Sequence, residues 1–177
     1  PEKFSDVTVE TKLPPDVLNA SYTAAWPADI DADGDLDIVL GTAEGRPEVL
    51  RNNGDGSFSQ SQLFSSVSGL RDFAWADIDG DGDPDAALID GKGKLHVFTN
   101  ERSGQFNERQ TPGALAPLKA LTVADLNQDG VLDLIVVQND GYIVRLSDRD
   151  EGNDWQIQQI LRCEASPHGS QDWHLAS

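Results

Sequence analysis

The chain has 177 residues, 38% of them hydrophobic, and carries 31 Asp and Glu against 13 Lys and Arg, for a formal net charge of -18. Its size and apolar content suffice for a folded core, while the charge argues against nucleic acid as a partner and against direct membrane insertion or attraction to anionic lipid. Cys163 is the single cysteine, which excludes a disulfide framework or a cysteine-rich zinc site, and no apolar run reaches the roughly 18 residues of a membrane-spanning helix. With Pro1 first and no methionine anywhere, the chain is expected to be a piece of a longer product.

Taken in chain order, "FSDVTVETK" from Phe4 reads as a strand. "AWPADIDADGDLDIVLG" from Ala25 then sets an acidic loop, Asp29 to Asp37, before the apolar run Ile38 to Leu40, which is too short for a helix and reads as a buried strand. Glu48 to Arg51 forms a second strand, "NNGDG" turns the chain, and a third strand begins at Phe58. The order then repeats. "FAWADIDGDGDPDAALID" from Phe73 is followed by strands at Ala86 to Ile89 and Lys94 to Thr99 and a turn before Phe106. "LTVADLNQDGVLDLIVVQND" from Leu121 is followed by strands at Leu134 to Val137 and Tyr142 to Leu146 and a turn before Trp155.

The first acids of the three loops, Asp29, Asp77 and Asp125, stand 48 residues apart. Counting the strand before each loop, every period holds four strands, the content of one β-propeller blade. The expected fold is all-β: a β-propeller fragment of about three complete four-stranded blades over residues 22–69, 70–117 and 118–165. Residues 1–12 would supply the last strand of a preceding blade and residues 172–177 the first strand of a following one. Apolar strand residues, Trp26 and Trp75 included, are assigned to the core, and an incomplete ring is expected either to belong to a larger one or to close by self-association.

Each loop reads Asp-x-Asp/Asn-x-Asp-Gly-x-x-Asp, and the chemistry explains the spacing. Calcium takes six to eight hard oxygen ligands, and alternate residues of a tightly curled loop can aim carboxylates at one point. The expected ligands are Asp29, Asp31, Asp33 and Asp37 in the first loop, Asp77, Asp79, Asp81 and Asp85 in the second, and Asp125, Asn127, Asp129 and Asp133 in the third. Position 7 is Asp35, Asp83 and Val131; since Val131 has no ligating side chain, a backbone carbonyl is expected from all three, with the Asp35 and Asp83 side chains facing solvent. Three Ca2+ sites follow, one per blade. An EF-hand is excluded by its need for a Glu at position 12, where this chain has Leu40, Leu88 and Val136.

On these loops, and on "FSDVT" at Phe4 and "VLRNNGDGSF" at Val49, the chain resembles the FG-GAP and VCBS repeat families. That resemblance implies an integrin-α-like propeller that is secreted, periplasmic or on the cell surface, with structural calcium and a role in adhesion or in binding a protein or carbohydrate ligand. No catalytic residue is assigned: His96 is read as structural, "SPHGSQDWH" from Ser166 lacks a nucleophile-elbow context, and "DGKGK" at Asp90 is a hairpin turn. The alternative reading is the propeller portion of a carbohydrate-active enzyme, such as a polysaccharide lyase, whose active residues lie elsewhere.

Overall fold

A computed structural model describes residues 3–102, 104–148 and 154–163. Its strands form three four-stranded antiparallel sheets, each laid down in chain order as a meander. Blade 1 comprises β1 (Ala24–Ala28), β2 (Asp37–Gly41), β3 (Glu48–Asn52) and β4 (Phe58–Ser61); blade 2 comprises β5 (Leu70–Ala76), β6 (Asp85–Asp90), β7 (Leu95–Asn100) and β8 (Phe106–Arg109). Blade 3 comprises β9 (Leu118–Ala124), β10 (Asp133–Gln138), β11 (Tyr142–Asp148) and β12 (Trp155–Arg162). The outermost strands start at Phe58, Phe106 and Trp155, the residues that follow the Gly- and Asn-bearing turns. The chain is thus a run of propeller-type blades.

Two cores hold the sheets face to face. Val39, Val49, Phe64, Phe73, Leu88 and Phe98 are buried between blades 1 and 2, and Ile89, Val97, Leu121, Leu134, Val136 and Leu146 between blades 2 and 3. Side chains alternate across a strand, so β6 sends Ala86 and Leu88 into the first core and Ala87 and Ile89 into the second. That explains why every residue of β6 is buried, whereas on β2 Ile38 and Leu40 are only half-buried. A strand covered on both faces reads as a continuous apolar run.

The amino-terminal expectation is corrected. The segment from Phe4 pairs with none of the sheets; Thr8–Thr11 make a turn of 3-10 helix, with Asp6 Oδ1 accepting the Thr8 amide at 2.9 Å. Asp and Thr side chains satisfy the backbone locally there. Pro15 then opens a single helical turn, α1 (Pro15–Leu18), which buries Val17. The strand expected over 172–177, and the segment from Ser166 to His174, lie outside the described residues.

Candidate metal centres in the acidic loops

The acidic loops connect the first two strands of each blade, leaving and re-entering the sheet at directly paired residues: Ala28 with Asp37, Ala76 with Asp85, and Ala124 with Asp133. The first Asp of each loop curls it. Asp29 accepts the amides of Asp33 and Gly34, Asp77 those of Gly80 and Gly82, and Asp125 those of Asp129 and Gly130, at 2.8–3.2 Å. The glycines Gly34, Gly82 and Gly130 sit at φ of 94°, 95° and 86°, a region that disfavours a side chain. Asp33, Asp81 and Asp129 each accept the amide two residues on, from Asp35, Asp83 and Val131. That contact fixes the backbone at position 7.

The last Asp of each loop does something the spacing alone did not reveal. Asp37 is 1% exposed and accepts the Ile30 amide at 2.9 Å and the Asn52 amide at 2.8 Å. Asp85 does the same with Ile78 at 2.9 Å and Asn100 at 3.0 Å. Each carboxylate therefore ties its loop to the end of the third strand. In blade 3 Asp133 accepts the Leu126 amide at 3.1 Å and the Ser147 hydroxyl. Burial raises the Asp37 carboxyl above the usual carboxylate range and pushes Asp85 up to about 6, against the lowering effect of those amides. Burial likewise raises Asp79.

Two of the loops gather carboxylates tightly. Asp29, Asp31 and Asp37 bring one oxygen each within 4.8 Å of one another, and so do Asp77, Asp79 and Asp85. Asp33 and Asp81, expected as ligands, stand outside these triplets and are exposed. In the third loop Asn127 replaces a carboxylate, and its amide nitrogen donates to Asp129 at 2.8 Å; Arg145 Nη1 lies 3.8 Å from Asp133. Asp35 is exposed as expected, but Asp83 is only partly so, because Arg102 Nε donates to it at 2.6 Å.

Arginines reach the triplets from other strands. Arg51, on β3, pairs with Asp31 Oδ2, and Arg109, at the end of β8, places Nη2 2.5 Å from Asp79 Oδ2 and Nη1 2.7 Å from Asp148 Oδ2. Arg109 thereby joins the loop of blade 2 to β11 of blade 3. The Asp31 side chain is 9% exposed, and its other oxygen, Oδ1, is buried without any hydrogen-bond partner. A buried carboxylate oxygen with nothing to accept is costly. Asp31 belongs to the triplet of loop 1, which fits a hard divalent cation held by Asp29, Asp31 and Asp37, as the triplet of loop 2 fits one held by Asp77, Asp79 and Asp85. Such an ion would neutralise like charges that otherwise repel across a few ångströms.

His96 lies apart from these loops. It is buried on β7, with Nδ1 2.7 Å from Glu108 and Nε2 3.5 Å from Asp90, an arrangement that links β6, β7 and β8 of one blade.

The model of the FG-GAP-like repeat matches this chain twice, over residues 29–88 and 77–136. Each match starts at the first aspartate of an acidic loop and runs through the next. No curated protein matches the chain.

Proposed function

Since the chain belongs to the FG-GAP-like repeat family, we propose that it is a non-enzymatic binding scaffold whose blades are braced by calcium and which works outside the cytoplasm, in the manner of VCBS and integrin-α propellers. The observation that carries the calcium reading is Asp31 Oδ1, buried and unpartnered on a member of a carboxylate triplet. Oxygen-only donors select hard ions, and several clustered carboxylates suit calcium better than magnesium, which keeps more of its water. The ion's role is structural: it holds the loop between the first two strands while Asp37 and Asp85 tie that loop to the third. The Asp125, Asn127, Asp129 and Asp133 loop is the third site, of lower affinity. Among the described residues no helix is long and apolar enough to cross a membrane. Calcium-rich surroundings outside the cytoplasm, and a protein or carbohydrate ligand on a secreted or cell-surface module, complete the reading.

Thermal unfolding before and after chelation, followed by addition of calcium or magnesium, tests it. Calcium at a hundredfold over its dissociation constant would stabilise the fold by about 2.7 kcal/mol. The melting temperature should fall on chelation and return with calcium more fully than with magnesium; an unchanged melting temperature would refute the proposal.

A further inference from the structure

The first strands of the three sheets, β1, β5 and β9, are edge strands, and β5 packs beside both of the others. Between them runs a cleft of about 300 Å³, at the small end of the range for small-molecule sites. Two tryptophans line it. Trp26 and Trp75 pack against the core between blades 1 and 2, as expected, and remain half-buried. Both rings rest on buried Phe73: Trp26 is tilted against it at 6.1 Å and Trp75 lies parallel at 6.4 Å, with 11° between the planes. Gly41 leaves room for the Trp26 ring, since a Cβ there would come within 3.0 Å of it and of the Leu70 carbonyl. The aromatic surface is thus fixed before any ligand arrives, which lowers the ordering cost of binding.

The polar groups of the cleft narrow the ligand. Neither indole N–H has a hydrogen-bond partner among the described residues, and neither is buried; the Thr122 hydroxyl is likewise unused. A tryptophan held in a core normally spends its N–H on an internal acceptor, as Trp155 does on the Gln110 carbonyl at 2.9 Å. No cation lines the cleft, and its one ionisable group is the Asp72 carboxylate, which accepts the Phe73 and Leu121 amides at 3.0 and 2.8 Å. An anion would find no cation among the residues lining the cleft, on a chain of net charge -18. What fits is a neutral ligand with an apolar face to lie on the indoles and hydroxyls around its rim. We infer that the cleft between β1, β5 and β9 binds a neutral saccharide, with Trp26 and Trp75 as the platform and Thr122 as a hydrogen-bonding partner. This rests on the reading of the chain as a binding scaffold and names the chemistry of its ligand.

The experiment is a titration followed by tryptophan emission and calorimetry, with cellotetraose, mannotetraose and chitotetraose as neutral probes, tetragalacturonate as the anionic probe and a proline-rich peptide as the competing chemistry. At least one neutral oligosaccharide should bind saturably and shift the emission. Thr122→Val should weaken it tenfold or more without moving the melting temperature, and Trp75→Phe, which keeps a ring but loses packing on the core, should weaken it tenfold or more in protein that is still folded at the titration temperature. Absence of binding to all three neutral probes, equal or tighter binding of tetragalacturonate or the peptide, or binding indifferent to both substitutions would overturn the inference. Running each titration with calcium and with chelator separates the two proposals: the melting shift on chelation scores the calcium reading alone, and the saccharide isotherm in calcium scores the cleft.

Discussion

The first two acidic loops and the third share one spacing, yet they differ in what stands around it. Loops 1 and 2 each close a triplet of carboxylates, and each has an arginine on the middle member, Arg51 on Asp31 and Arg109 on Asp79. In loop 3 the middle member is Asn127, and the nearest guanidinium, Arg145, leans on Asp133 instead. Where an arginine takes one oxygen of the middle aspartate, the other is buried without a partner in loop 1 and accepts the Asp81 amide at 3.2 Å in loop 2. Where it approaches the last aspartate, it brings positive charge to a ligand that an ion would need. A motif thus sets which oxygens are present, and its neighbours decide how well a cation is received.

The most damaging way to probe the comparison is to remove the last aspartate of a loop. Asp37→Ala or Asp85→Ala strands two amides at the loop and the third strand, and should cost about 2 to 5 kcal/mol in chelator, read from urea midpoints. Asp133→Ala should cost a similar amount in chelator, because it too loses buried partners. The loops should separate in calcium, where the first two substitutions lose the most additional stability. Arg109→Gln comes next. It leaves Asp79 and Asp148 without the guanidinium that joins them and should cost about 2 to 4 kcal/mol in chelator, with part of the loss recovered in calcium as the ion neutralises Asp79. Arg51→Gln should cost less, about 1 to 2 kcal/mol in chelator, because that arginine is 44% exposed although the Asp31 it leaves is buried.

Proton binding gives a third handle. Burial lifts Asp85 to about 6 and raises Asp37, so the metal-free folded state holds a proton that the unfolded chain has already released. Metal-free stability from these groups is therefore present at low pH and is lost as pH rises through their raised folded-state values, about 6 for Asp85. Ionisation also creates the ligand, so the calcium-induced rise in melting temperature should be larger at about pH 7.5 than at about pH 5; equal rises would exclude Asp85 as a ligand. Smaller still is the difference in affinity. Calorimetry should resolve two tight sites and one about tenfold weaker, a gap of about 1.4 kcal/mol, which Asn127→Asp should narrow. The least effect is expected at Asp35→Ala, within about 0.5 kcal/mol, since the side chain is exposed.

The sequence by itself determined what repeats. A 48-residue period, strands opening on Phe58, Phe106 and Trp155, and acids at loop positions 1, 5 and 9 all follow from local rules of turn and alternation, because each is decided within a few residues of chain. Tertiary structure decided what does not repeat. Arg51, Arg109 and Arg145 occupy three different places in the period: the residues equivalent to Arg51 are Thr99 and Ser147, and those equivalent to Arg145 are Val49 and Val97. No periodic pattern could have assigned them to the loops. The tie between Asp85 and the Asn100 amide spans 15 residues and exists only because β6 and β7 pair. The same distinction accounts for the strand expected near Phe4 and for the partial cover over Trp26 and Trp75. Alternation says which way side chains point, but a strand needs an edge to join and a core needs a second surface, and both are supplied from elsewhere in the fold.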